Sequence, residues 1–163
     1  AALARPVNSA LGVISMAYTL QAIVTVSDEI QSQLRPPLRS VSLGSDVKLI
    51  PLGSEAARHL GIPFLPLTDE GETETPPQVV QLCEQLSQGR TLAYIEAEFF
   101  GGAGAQASAV FTNGKQVGPP FVSETAINQA LQVLGVSKGD AHDEFEAVGL
   151  GAHRDTDSWL EQP

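Results

Sequence analysis

One cysteine (Cys83), one methionine (Met16) and one tryptophan (Trp159) occur in the 163 residues. A lone cysteine excludes an intramolecular disulfide and any cysteine-built zinc site. Cys83 stands among Val79, Val80, Leu82 and Leu86 at helical spacing, which assigns it to core packing ahead of nucleophilic chemistry. A single unpaired thiol also fits a reducing cytoplasm. No run of about 18 consecutive apolar residues exists, which excludes a transmembrane helix. Basic residues are scarce, 9 Lys+Arg against 19 Asp+Glu, for a net charge of -10. Few, scattered and outnumbered, they argue against a nucleic-acid interface or an anionic membrane surface. The three histidines, His59, His142 and His153, lack zinc-site spacing. No Gly-x-Ser-x-Gly nucleophile elbow is present either.

Against these absences stands a globular composition, 42% hydrophobic and 17% charged, in a chain of one-domain length. Residues 1–15 read as an N-terminal extension or an added segment, and 16–163 as a single α+β domain. Residues 1–60 hold four acids and five bases, whereas residues 61–163 hold fifteen acids and four bases. A function that uses charge therefore belongs to the second part, where a net of -11 would attract a basic protein.

Tyr18–Val26 alternates as a strand. Ser27 reads as the cap of a helix ended by Pro36-Pro37. Arg39–Leu43 and Val47–Leu52 form a hairpin about a two-residue Gly44-Ser45 turn. A short helix over 55–60 has Ser54 as its cap. Ile62–Leu67 reads as an edge segment, its prolines removing ladder donors. Asp69–Glu74 reads as a solvated loop whose spacing is not that of a calcium-binding hand. Thr75-Pro-Pro-Gln78 opens a helix as a capping box. The segment 92–118 predicts a three-stranded antiparallel meander, with a glycine tip at 101–104 and a turn at Asn113-Gly114. A helix capped by Ser123 and stopped by Gly135 follows. Last comes an acidic tail with apolar anchors at Phe145, Val148, Leu150, Trp159 and Leu160. The expected architecture is an antiparallel sheet with three to four helices packed mainly on one face.

Two constellations could carry chemistry. Glu96 and Glu98 project from one face of a strand about 7 Å apart, a separation usable for acid–base work. Pairing Phe100 with Gln106 across a five-residue connection would set Gln106 and Ser108 beside them as ligand-binding groups; a one-residue shift would set the glutamates opposite alanines instead. The second is His153, Arg154, Asp155 and Asp157 in the tail. There His153, Asp155 and Asp157 form a ligand or acid–base set, and Arg154 could hold a carboxylate or phosphate. The structural alternative makes Asp155 a helix cap, Trp159 an anchor and His153 a surface residue. Neither set forms a recognisable metal or cofactor motif, so no metal and no cofactor is expected. The glycine tip lacks the following helix and the lysine of a phosphate loop, and close backbone passage explains it better.

The blocks Glu-Ala-Glu-Phe-Phe-Gly-Gly-x-Gly-x-Gln at 96–106 and Asp-Glu-Phe-Glu-Ala-Val-Gly-Leu-Gly-x-His-Arg-Asp-Thr-Asp-x-Trp at 143–159 resemble small acidic bacterial proteins of uncharacterised function. The resemblance implies a bacterial, cytoplasmic setting and carries over no catalytic residue. The leading expectation is a small acidic binding protein, an inhibitor or immunity-type partner of a basic protein. The alternatives are an enzyme or ligand-binding protein using Glu96 and Glu98 with His153 and Asp155, and a homodimer paired through a sheet edge.

Overall fold

Residues of β-branched, aromatic and small apolar type dominate two long stretches, and these become the central strands. A computed structural model describes residues 17–100 and 103–161; the extension expected at 1–15 lies outside them. The strands are β1 (Tyr18–Thr25), β2 (Val41–Ser42), β3 (Lys48–Pro51), β4 (Thr91–Phe100), β5 (Ala103–Thr112), β6 (Lys115–Gln116) and β7 (Phe121–Val122). They form one antiparallel sheet in the order β2-β3-β1-β4-β5-β6, with β7 also paired to β5. Four α-helices accompany it among the described residues: α1 (Ser54–Leu60), α2 (Pro77–Leu86), α3 (Ala126–Val133) and α4 (Glu144–Val148). The class is α+β, and the meander forms as expected. No helix among the described residues is long and apolar enough to cross a membrane.

Both faces of the sheet are covered, which differs from the one-sided packing expected. Leu20, Ala22 and Val24 of β1 and Ala93, Ile95 and Ala97 of β4 meet Ile127 and Leu131 of α3, with Val148, Leu150 and Trp159 of the tail. On the other face Ile23, Ile50, Leu92, Tyr94 and Phe111 meet Ala56 of α1 and Val79, Cys83 and Leu86 of α2. The alternation of β4 makes this second face look like a solvent face, since it carries Glu96 and Glu98. Polar donors from a distant loop allow it to be buried nonetheless.

The β4–β5 register also differs. Phe100 pairs with Ala103, Glu98 with Ala105, Glu96 with Ala107, and Ile95 with Ser108. The connection is two residues rather than five, the tightest hairpin link. Alanines opposite the glutamates leave room above the carboxyl groups. Gly104 lies opposite Phe99, where a β-carbon would come within 2.6 Å of the Glu98 carbonyl oxygen.

Two smaller departures, at Ser27 and Thr75, share one cause, the recruitment of side chains to distant partners. Ser27 starts no long helix; its hydroxyl accepts from Arg90 Nε at 3.2 Å, and only a 3₁₀ turn over Ile30–Gln33 forms. Thr75 caps nothing and accepts from Gln116 Nε2 at 3.0 Å. The hairpin at 44–46 has a three-residue turn, closed by the Leu43 N–H donating to the Val47 carbonyl at 2.8 Å.

Candidate functional site

Glu96 is fully buried, and its carboxyl oxygens accept from four donors. The Thr68 N–H lies at 2.9 Å, the Thr68 hydroxyl at 3.0 Å, the Leu67 N–H at 3.2 Å and the Tyr94 phenol at 2.5 Å. Burial, with Glu96 beside it, pushes the Tyr94 phenol well above its ordinary pKa, so it remains a donor. That phenol in turn accepts from Gln21 Nε2 at 2.9 Å. Gln21 also donates to the Pro63 carbonyl at 2.9 Å and accepts from the Leu65 N–H at 3.3 Å. One buried chain of polar groups on β1 and β4 therefore holds the backbone of residues 63–68. A group with so many fixed donors serves as a clasp.

Glu98, one pleat along, is only partly buried. Burial first, and then the charge of neighbouring Asp69, raise its pKa above the ordinary glutamate value. The remaining candidates lie elsewhere. Gln106 and Ser108 fall on the opposite face from the glutamates, because their partners in the ladder are Ala97 and Ile95. Gln106 Oε1 accepts from the Ile127 N–H at the start of α3, at 2.9 Å. The polar cluster expected from the five-residue connection is thus split by the register.

The tail is a strap along the exposed end of β1. The Thr19 N–H donates to the Arg154 carbonyl at 2.9 Å, and the Gln21 N–H to Thr156 Oγ1 at 3.0 Å. Asp155 Oδ1 accepts from the Ser158 N–H at 2.8 Å. Asp157 accepts from the Ser54 N–H at 2.8 Å and the Ser54 hydroxyl at 2.5 Å, capping α1 from 103 residues away. The capping role expected of Ser54 belongs to Asp157. His153 packs edge-on against the buried Trp159, ring centroids 4.5 Å apart, in the core opposite Glu96. The structure therefore does not bring His153 and Glu96 together. Among the described residues no three His, Cys, Asp or Glu side chains are placed to hold a metal ion. Cys83 is buried against the sheet, and burial, with Glu84 nearby, raises its thiol pKa strongly.

What the clasp presents to solvent is the feature that sequence reasoning missed. Segment 62–67 forms no edge strand. Ile62, Leu65 and Leu67 turn inward, while Phe64 stands 60% exposed. Leu65 has φ +42°, in the left-handed region that L-residues seldom adopt. Beside Phe64 runs an open groove of about 520 Å³ floored by Pro63, Pro66, Pro76 and Pro77 and rimmed by Glu70, Glu72 and Glu74. These three carboxylates are exposed and carry no ion pair among the described residues. A second concavity of about 300 Å³, on whose wall Phe64 also stands, is bordered by Thr19, Gln21, Ser54, Asp155 and Asp157. The signal was present in the sequence as four prolines and a phenylalanine beside an acid run, a pattern that periodicity does not register. No protein-family model, curated protein or solved structure matches the chain.

Proposed function

We propose that the protein acts by non-covalent contact with a basic protein, as an inhibitor or immunity-type partner in a bacterial cytoplasm. One observation carries this reading: a rigidly held loop exposes Phe64 in a proline-floored groove rimmed by Glu70, Glu72 and Glu74. Apolar surface of that kind, ringed by charge of one sign, suits a partner with the opposite sign and an apolar or stacking side chain. Glu96, the leading catalytic candidate, is engaged in holding the loop, which supports binding over chemistry at that position. Pairing through the β2 edge has little to work with, since β2 is two residues long.

The test compares two triple variants with equal charge change. Glu70→Gln/Glu72→Gln/Glu74→Gln should weaken calorimetric binding of an arginine-rich peptide by about tenfold at low salt. Glu124→Gln/Asp140→Asn/Glu146→Gln, on exposed positions elsewhere, should have little effect. Equal losses in both would mean that net charge alone attracts the peptide, and would contradict the assignment.

A further inference from the structure

We infer that Phe64 is the centre of a two-sided recognition surface, crossed by an extended arginine-x-arginine segment of the partner. One arginine of that segment meets the glutamate groove and the other enters the slot at Asp155. This rests on the basic-partner reading above and specifies its chemistry.

The same ring borders both concavities. On one side stand Glu70, Glu72 and Glu74, on the other Asp155 and Asp157, and none of the five is paired with a cation among the described residues. Asp157 is committed to Ser54, and Asp155 Oδ1 to Ser158; the Asp155 carboxylate borders the slot with its second oxygen outside that bond. The slot is the smaller space and suits one long side chain, whereas the groove is open enough for a length of chain. Phe64 cannot readily fold inward to relieve its exposure. Pro63 is tied through its carbonyl to Gln21, and the core position next to it is filled by Leu65. The ring thus stays outward as a ridge between two negative hollows.

Arginine fits better than lysine because its planar guanidinium stacks on an aromatic face while donating to a carboxylate at its edge. In an extended chain, residues i and i+2 point the same way about 7 Å apart, a spacing that straddles a single ring. Adjacent residues point to opposite sides, so contiguous arginines would engage one hollow only.

The experiment measures fluorescence anisotropy of labelled peptides with the full chain at low salt. The peptides have one composition and differ in arrangement: Arg-x-Arg, Arg-Arg and Arg-x-x-x-Arg, with a single-arginine peptide as reference. Arg-x-Arg should bind about fivefold tighter than either isomer. Asp155→Asn keeps an acceptor for the Ser158 N–H, so the strap stays folded; it should abolish that preference, bringing Arg-x-Arg to the affinity of its isomers. Phe64→Ala should weaken every peptide. Isomers binding alike, or a preference that survives Asp155→Asn, would overturn the two-sided surface and leave the groove reading standing. Binding indifferent to both Phe64→Ala and the Glu70/Glu72/Glu74 variant would overturn the basic-partner reading itself.

Discussion

At the scale of single residues, the two glutamates that look equivalent in sequence have different tasks. Glu96 satisfies the backbone of a loop about thirty positions earlier in the chain, through Leu67 and Thr68. Replacing it with alanine leaves those N–H groups without acceptors, and Glu96→Ala should cost about 3 kcal/mol in denaturant unfolding. The Leu67 and Thr68 amides should then exchange with solvent faster than in the parent chain; unchanged exchange there would show that the loop is held by other means. Glu98 behaves in the opposite sense. Its pKa in the folded chain lies above the ordinary value through burial and Asp69. The folded state therefore holds that proton more tightly than the unfolded state does, and the associated stability is present while Glu98 is protonated and is lost as pH rises through the folded-state pKa. Glu98→Gln should accordingly raise the thermal midpoint at neutral pH by a small amount, since the group is partly exposed. The gain should vanish below about pH 4, where glutamate is protonated in both states. A difference that is equal at both pH values would contradict the raised pKa of Glu98.

Elements show why the hairpin takes its observed register. Gly104 faces Phe99, whose ring packs with Tyr18 at 5.7 Å between centroids. A β-carbon at 104 would press on the backbone at Glu98 and Phe99. Glycine to alanine within a strand ordinarily gains stability; here Gly104→Ala should lose about 2 kcal/mol from overpacking. Thermal unfolding decides the sign, and a gain would argue for another register. The strands themselves were legible: Ala93, Ile95 and Ala97 alternate with Leu92, Tyr94 and Glu96 in sequence and separate onto two cores in space. The start of α2 at Pro77 was legible too, from proline chemistry at a helix start. The register was not, because alternation alone weighs only the two strands against each other. The deciding contacts come from Leu67 and Thr68, which no strand pattern contains. Capping of α1 was hidden for the same reason, since Asp157 lies 103 residues from Ser54. Candidate chemistry read from spacing failed where the third dimension intervened: Gln106 and Ser108 are near Glu96 in sequence and across the sheet from it in space.

The whole molecule separates support from display. Its sheet is covered on both faces by helices, and the tail straps one end of β1. A buried polar chain running from Gln21 through Tyr94 to Glu96 fixes the loop that carries Phe64. The acid excess of residues 61–163 includes the groove rim, where charge and apolar surface coincide. Such a surface should associate with a basic partner quickly and with strong dependence on ionic strength. The most direct measurement is chemical-shift mapping of the isotopically labelled chain during titration with an arginine-rich peptide, at low and at high salt. The account predicts shifts concentrated at Pro63–Pro77 and Asp155–Asp157, absent from Phe64→Ala and reduced at high salt. Shifts scattered over the acidic surface, or centred on the tail around Asp140–Glu146 with the groove silent, would contradict it.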